Sequence, residues 1–133
     1  MGARARALML ACPCGSSDPY AHCCRPYIRG DVGAPTAEAL MRSRYTAYVR
    51  RDSNYLLKTW HPRTRPEFLE LGGTTWLGLE ILAVINGQAA DASGTVTFAA
   101  HFQTGDGQTV TMRELSRFET LDGAWLYVTG DVD

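Results

Sequence analysis

All four cysteines of the chain lie between positions 12 and 24, as Cys12-Pro13-Cys14 and Cys23-Cys24. A disulfide framework ordinarily spreads its cysteines so that they staple distant segments. Here they crowd into one turn, which is how a tetrahedral thiolate site is built. Zinc takes four sulfur ligands at about 2.3 Å, and closed structural sites draw all four from the protein. Gly15, Ser16, Ser17 and Pro19 are turn residues that bring the chain back on itself. The alternatives are two disulfides or free thiols, and two bridges inside so short a loop would be strained. The pattern therefore predicts one zinc ion held by Cys12, Cys14, Cys23 and Cys24.

A loop of this size has no core of its own, so its fold would depend on the metal. The remaining chain is long enough for one ordinary domain. Hydrophobic residues make up 45% and charged residues 20%, which points to a globular chain. The formal net charge of −1 argues against a general nucleic-acid binder, whose affinity would rest on released counterions. No apolar run is long enough to span a bilayer. The start, Met1 to Ala11, imitates a signal peptide, but its apolar part, Ala7 to Ala11, is shorter than a secretory core. A cytoplasmic location is expected, where thiols stay reduced and open to metal.

Downstream the periodicity supplies the architecture. A loose lead-in is expected before the knuckle, with an extended piece at Leu8-Met9-Leu10. Gly30 to Pro35 reads as a linker. Thr36 is a good N-cap, and Glu38 sits in the first turn where the helix dipole favours an acid. Leu40, Met41, Tyr45, Tyr48 and Val49 form an apolar stripe on a helix from about Ala37 to Arg51. Arg42, Arg50 and Arg51 fall off the stripe, whereas Arg44 lies on it. Asp52 or Ser53 caps a second helix that Pro62 stops, and Arg65 to Gly73 predicts a short third one. Beyond Gly73 the period becomes that of strands: Trp76–Asn86, Ala92–Gln103, Gln108–Thr120 and Ala124–Gly130, joined at turn residues. Helices followed by hairpin-linked strands give an α+β fold with an antiparallel sheet.

Two sets of residues carry a family resemblance. Cys12-Pro13-Cys14-Gly15-Ser16, Tyr20 and Cys23-Cys24 resemble the SEC-C motif, the zinc knuckle at the C-terminus of the translocation motor SecA. His22 could replace a cysteine as ligand, but it ranks below the four thiolates because Cys23 and Cys24 fit that motif directly. The run Ala34 to Tyr45, with Trp60-His61-Pro62, Glu114, Ser116-Arg117-Phe118, Gly123, Trp125 and Tyr127, resembles the YchJ-like proteins of bacteria. The resemblance implies a knuckle and linker at 1–34. A nuclear transport factor 2-like (cystatin-like) domain would follow at 35–133, its curved antiparallel sheet wrapped around a long helix as a cone. Some YchJ-like proteins carry a second SEC-C motif; this sequence shows one, so a function that needs two is not expected.

The cone is where a second chemistry could sit. Val110, Met112, Glu114, Ser116 and Phe118 share one face of the third strand, because side chains alternate. A carboxylate on a core face must be paired, protonated or wet. Arg44 is the expected partner of Glu114, within direct or one-water reach. In one reading the two form a structural ion pair. In the other, Glu114 is a general acid or base, with Arg44, Tyr48 or Ser116 orienting a ligand. His101 is expected to face outward, opposite Phe98, Ala100 and Phe102. Arg25 and Arg29, next to the cysteines, could offset the charge of a metal–thiolate centre or be ordinary solvated charges.

Two functions follow. The first is a zinc-binding accessory protein whose knuckle loop, Ser16 to Ala21, meets a protein partner. The SEC-C resemblance implies this, since the SecA knuckle engages a chaperone, although Ser17, Asp18 and Pro19 stand here where SecA-like loops are usually lysine-rich. The alternative is an enzyme of isomerase or lyase type, acting in the cone on a small, partly apolar molecule.

Overall fold

A computed structural model describes residues 10–133. The leader-like start, with the expected extended piece apart from Leu10, lies outside the described residues. From Leu10 the chain runs through the cysteine turn, a single 3-10 turn at Tyr20–His22, and the short helix α1, Arg25–Arg29. Gly30 ends α1 in the left-handed conformation, at φ 82°.

The long helix α2 spans Ala37–Arg50. Its start is fixed by Thr36, whose Oγ1 accepts a hydrogen bond from Ala39 N at 3.1 Å. Its end is fixed by Arg51, left-handed at φ 58°. Thr36→Ala should cost about 1 kcal/mol. For a chain of this size that lowers the thermal midpoint by roughly 3–5 °C, readable by circular dichroism. Helix α3, Ser53–Lys58, begins where Asp52 Oδ1 accepts from Tyr55 N at 3.0 Å.

The expected third helix does not form. Residues 65–74 run without regular structure. Leu69 and Leu71 pack against Ala47, Tyr55 and Leu56, while Phe68 between them and the preceding turn is 71% exposed. Burial every second residue is the pattern of an extended segment. On a helix Leu69 and Leu71, two positions apart, would not share a face, whereas the extended segment lets both find cover. The Arg65 side chain, read as part of that helix, instead donates from Nε and Nη2 to Trp60 O.

Four strands follow: β1 (Thr75–Asn86), β2 (Ser93–Gln103), β3 (Thr109–Leu121) and β4 (Ala124–Val132). They pair antiparallel in chain order, each boundary within two residues of the sequence reading. Asp122 and Gly123, at φ 51° and 82°, make the tight β3–β4 hairpin, whose type I′ geometry needs positive φ at both positions. Extra residues at Leu77 and Leu82 in β1, and at Val128 in β4 opposite Arg117/Phe118, shift the register, add local twist and bend the sheet.

The bent sheet closes on α2. Leu40, Met41 and Tyr45 of the helix meet Leu79, Val96, Phe98, Phe118 and Trp125 of the strands. Each fully covered side chain of this kind contributes about 1.5–3 kcal/mol. The same hydrophobic cluster includes Cys12, Cys14 and Cys24. Helix α2 is therefore sandwiched, with the sheet on one side and the cysteine turn on another. This explains why Ser43, Thr46 and Ala47, outside the apolar stripe, are fully buried as well.

Candidate metal centre and cone cavity

The sulfur atoms of Cys12, Cys14, Cys23 and Cys24 all lie within 4.8 Å of one another. Cys14 Sγ is 3.7 Å from Cys23 Sγ, and Cys23 Sγ is 4.0 Å from Cys24 Sγ. A regular tetrahedron with metal–sulfur bonds of about 2.3 Å has edges of about 3.8 Å. The four thiols are unbridged and fit the dimensions of one tetracoordinate ion. They could hold a metal.

Local geometry explains why they converge. Cys12 N donates to Asp18 O at 2.8 Å, and Gly15 N to Cys12 O at 3.2 Å, which folds the turn back. Gly15 sits at φ 82°, and a Cβ there would come within 3.0 Å of Leu79 O on β1. A glycine is required both by the backbone and by the close seat on the sheet. Tyr20 lies under the Arg50 guanidinium at 4.8 Å, a cation–π contact that ties the turn to α2.

The electrostatics favour a cation. Hydrogen bonds from Cys12 and then Cys24 hold the Cys14 thiol far below its ordinary range. Burial pushes Cys23 up to about 11. Cys24 is raised by its hydrogen bonds to Cys12 and Cys14. One sulfur is thus supported as thiolate by protons on its neighbours, and a metal ion would take the place of those protons. Around the sulfurs, Ser16 Oγ lies 3.1 Å from Cys23 Sγ and Thr46 Oγ1 lies 3.6 Å from Cys12 Sγ.

Arg42 is the cation nearest this centre. Its Nη1 donates to Cys14 O at 2.8 Å and reaches Cys14 Sγ at 3.9 Å, while Nε donates to Glu38 Oε2 at 3.0 Å. Of the two readings of Arg25 and Arg29, compensation of the centre falls to Arg42 instead. Arg29 pairs with Asp31 in solvent, and among the described residues neither arginine reaches a sulfur. Sequence periodicity placed Arg42 off the apolar stripe. The missing signal was that a coreless knuckle must pack somewhere, and the polar flank of α2 was the free surface. Groups oriented like this typically govern metal retention. Arg42→Gln should therefore weaken retention by about 10–100-fold, measured by competition with a chromophoric chelator.

The second site lies inside the cone. A cavity of about 270 Å³ opens between α2 and the sheet, with Arg44, Tyr48, Glu114 and Ser116 all in its wall. The face assignment of β3 holds, since Met112 also lines the cavity and Phe118 is buried below it. Glu114 Oε2 accepts from Ser116 Oγ at 2.5 Å and from Tyr127 Oη at 3.4 Å. Burial pushes the Tyr127 phenol up to about 12, so it remains a donor. Gly130, opposite Ser116 on β4, leaves the space this carboxylate fills; a Cβ there would collide with it.

Arg44 and Glu114 share the cavity wall, but among the described residues they form no direct ion pair. Arg44 Nη1 donates to Leu56 O and to Thr59 Oγ1, each at 2.7 Å. The guanidinium lies 4.7 Å from the Tyr127 ring centre and 5.1 Å from that of Trp60. The end of α3 offers a free carbonyl close by, so Arg44 is drawn there and not across the cavity. Trp60 entered the sequence reading as part of the Trp60-His61-Pro62 motif. It forms a parallel bridge with Tyr127 on β4, and this carries the aromatic wall to Arg44. His101 does face outward, between Glu80 Oε1 at 2.6 Å and Thr111 Oγ1 at 2.8 Å. Among the described residues no helix is long and apolar enough to cross a membrane.

Comparison with known proteins covers both parts of the chain. Residues 36–130 match the sequence family described as YchJ, middle NTF2-like domain, and residues 11–26 match the SEC-C motif. A UPF0225 protein of Streptomyces coelicolor is 53% identical over 121 residues, covering 90% of this chain and 94% of the relative. One from Deinococcus radiodurans is 47% identical, covering 88% and 85%. The solution structure of a SEC-C motif containing protein from Rhodopseudomonas palustris superposes with a TM-score of 0.83 at 33% identity, over 92% of this chain and 98% of that one. A crystal structure of a SEC-C motif containing protein from Psychrobacter arcticus gives 0.75 at 30% identity, over 93% and 83%.

Proposed function

The chain belongs to the YchJ-like, UPF0225 family, with an NTF2-like cone and a SEC-C knuckle, and from that premise we propose a zinc-dependent accessory protein that docks a protein partner through the knuckle. Zinc suits four thiolates in a closed tetrahedral set better than the harder divalent ions. One observation carries the docking role: the turn is buried on one side and open on the other. Cys12, Cys14 and Cys24 are sealed against α2 and β1, while Ser17, Asp18 and His22 are exposed. A groove of about 440 Å³ runs beside them, bordered by Glu38 and Arg42. The metal would hold that surface in one shape, which lowers the ordering cost of binding.

The test places a photo-cross-linker at Ser17 in living cells. A single adduct, identified by mass spectrometry and lost both in Asp18→Lys and after metal removal, supports the reading. An adduct pattern indifferent to both changes sinks it. Elemental analysis should give about one zinc per chain.

A second reading has the open cavity behind it. Glu114 lies in its wall, where an isomerase or lyase would keep its acid or base. That reading requires first that the cone take a ligand.

A further inference from the structure

Arg44 carries a buried charge with no directly paired carboxylate among the described residues. It is 3% exposed, and among the described residues no carboxylate lies within ion-pair distance of it. Its protein hydrogen bonds all leave from Nη1, so Nε and Nη2 have no protein acceptor among the described residues. Trp60 and Tyr127 cover its face but accept nothing in its plane. Burial pulls its pKa down, opposed in part by Tyr48, Tyr127 and Tyr55 and by Glu114 across the cavity. Buried cations without a directly paired carboxylate are costly, and here that cost is kept beside an open cavity.

The rest of the wall completes a pattern. Trp60 Nε1 is buried there without a hydrogen-bond partner. An unpaired buried donor is a standing cost that an acceptor would remove. On the sheet side Glu114 receives both of its protein donors on Oε2, which leaves Oε1 as an unused acceptor. Between the two lie Tyr48, Trp76 and Phe98, which are apolar or aromatic surface. An apolar cavity of roughly 150 Å³ accommodates a benzene ring. The cone, at about 270 Å³, has room for a ring with substituents at both ends.

We propose that the cone is a binding site for a small amphiphilic acid: a carboxylate held by Arg44, an aromatic or branched apolar body, and a hydroxyl or ammonium donor at the far end held by Glu114. Charge balance selects this class. A bare anion would meet Glu114, and a bare cation would meet Arg44; a ligand with an acceptor at one end and a donor at the other satisfies both. Arg presents a planar fork suited to a carboxylate, and charge-assisted hydrogen bonds of this kind are the strong ones. This inference rests on the cone being a ligand site and is independent of the knuckle's partner.

The experiment titrates the isotope-labelled full chain with 4-hydroxyphenylacetate, phenylacetate and tyramine, following the indole resonances of Trp60 and Trp76. Saturable shifts are expected with 4-hydroxyphenylacetate, binding at least about tenfold weaker with phenylacetate, and none with tyramine. Arg44→Met should abolish binding of both acids. Glu114→Gln should keep phenylacetate binding while reducing the preference for the hydroxylated acid. Should Arg44→Met not fold, Glu114→Gln and the ranking of the three probes decide the matter. Equal response to all three, shifts that never saturate, or an Arg44→Met variant that binds as the parent does would overturn the proposal. Spectra of the probes themselves record any conversion, so a binding site without chemistry is told apart from a catalytic one.

Discussion

Serine in place of Cys14 should strip the metal from the chain and lower its unfolding midpoint by roughly 10–20 °C. The argument starts from burial. Cys14 is 0% exposed and shares a hydrophobic cluster with Leu40, Met41, Tyr45 and Leu79. With one ligand gone the tetrahedral set is incomplete, and the turn loses what holds it shut. Tyr20, Ile28 and the other cysteines then uncover the flank of α2 they now seal, a loss of about 3–5 kcal/mol in apolar burial and packing. The cone should nevertheless remain folded at room temperature. Its sheet and α2 keep Val96, Phe98, Phe118 and Trp125 between them. The expected record is one equivalent of zinc in the parent and none in the variant, a far-ultraviolet spectrum retained in the cold, and a melt shifted well down. An unshifted melt in a metal-free variant would mean that the knuckle adds nothing to the domain. The sequence reading treats knuckle and cone as separate units; the cysteines buried against Leu40 and Met41 join them.

What was readable in the sequence follows from which forces are local. Four cysteines in one turn define their own site, since the ligands need only a tight loop to meet. The helix stripe and the alternation of β3 are likewise local periodicities, so α2 and the inward face of Glu114 and Ser116 could be placed without coordinates. The misreadings share one cause, which is tertiary competition. The helix over Arg65 to Gly73 rested on end signals, Pro66 and Gly72, whereas Leu69 and Leu71 are spaced for an extended segment and pack on Tyr55 and Leu56. Arg42 looked like a solvated flank until the knuckle was packed on it. Arg44 was assigned to Glu114 because both faced the core, yet sharing a cavity does not set a contact. The carbonyl of Leu56 and the hydroxyl of Thr59 were nearer.

That last point sets the two cavity charges apart in energy. Arg44→Ala should cost about 3–5 kcal/mol, and Glu114→Gln less than about 1. Removing the guanidinium leaves Leu56 O without its strong donor and takes the packing from the faces of Trp60 and Tyr127. It also joins a new void to a cavity already present, so little collapse can recover the loss. Glutamine at 114 keeps the oxygen that accepts from Ser116 and Tyr127, and it strands no cation, since Arg44 has no bond to that carboxylate. A true buried ion pair would behave otherwise, with each single change leaving an uncompensated charge and both being severe. A double-mutant cycle distinguishes the cases. The coupling between Arg44→Ala and Glu114→Gln should stay below about 1 kcal/mol, the residue of a through-space attraction across the cavity. Denaturant titrations of the four proteins give the number directly. A coupling above about 2 kcal/mol would restore the ion pair and remove the free guanidinium edge on which the ligand site depends.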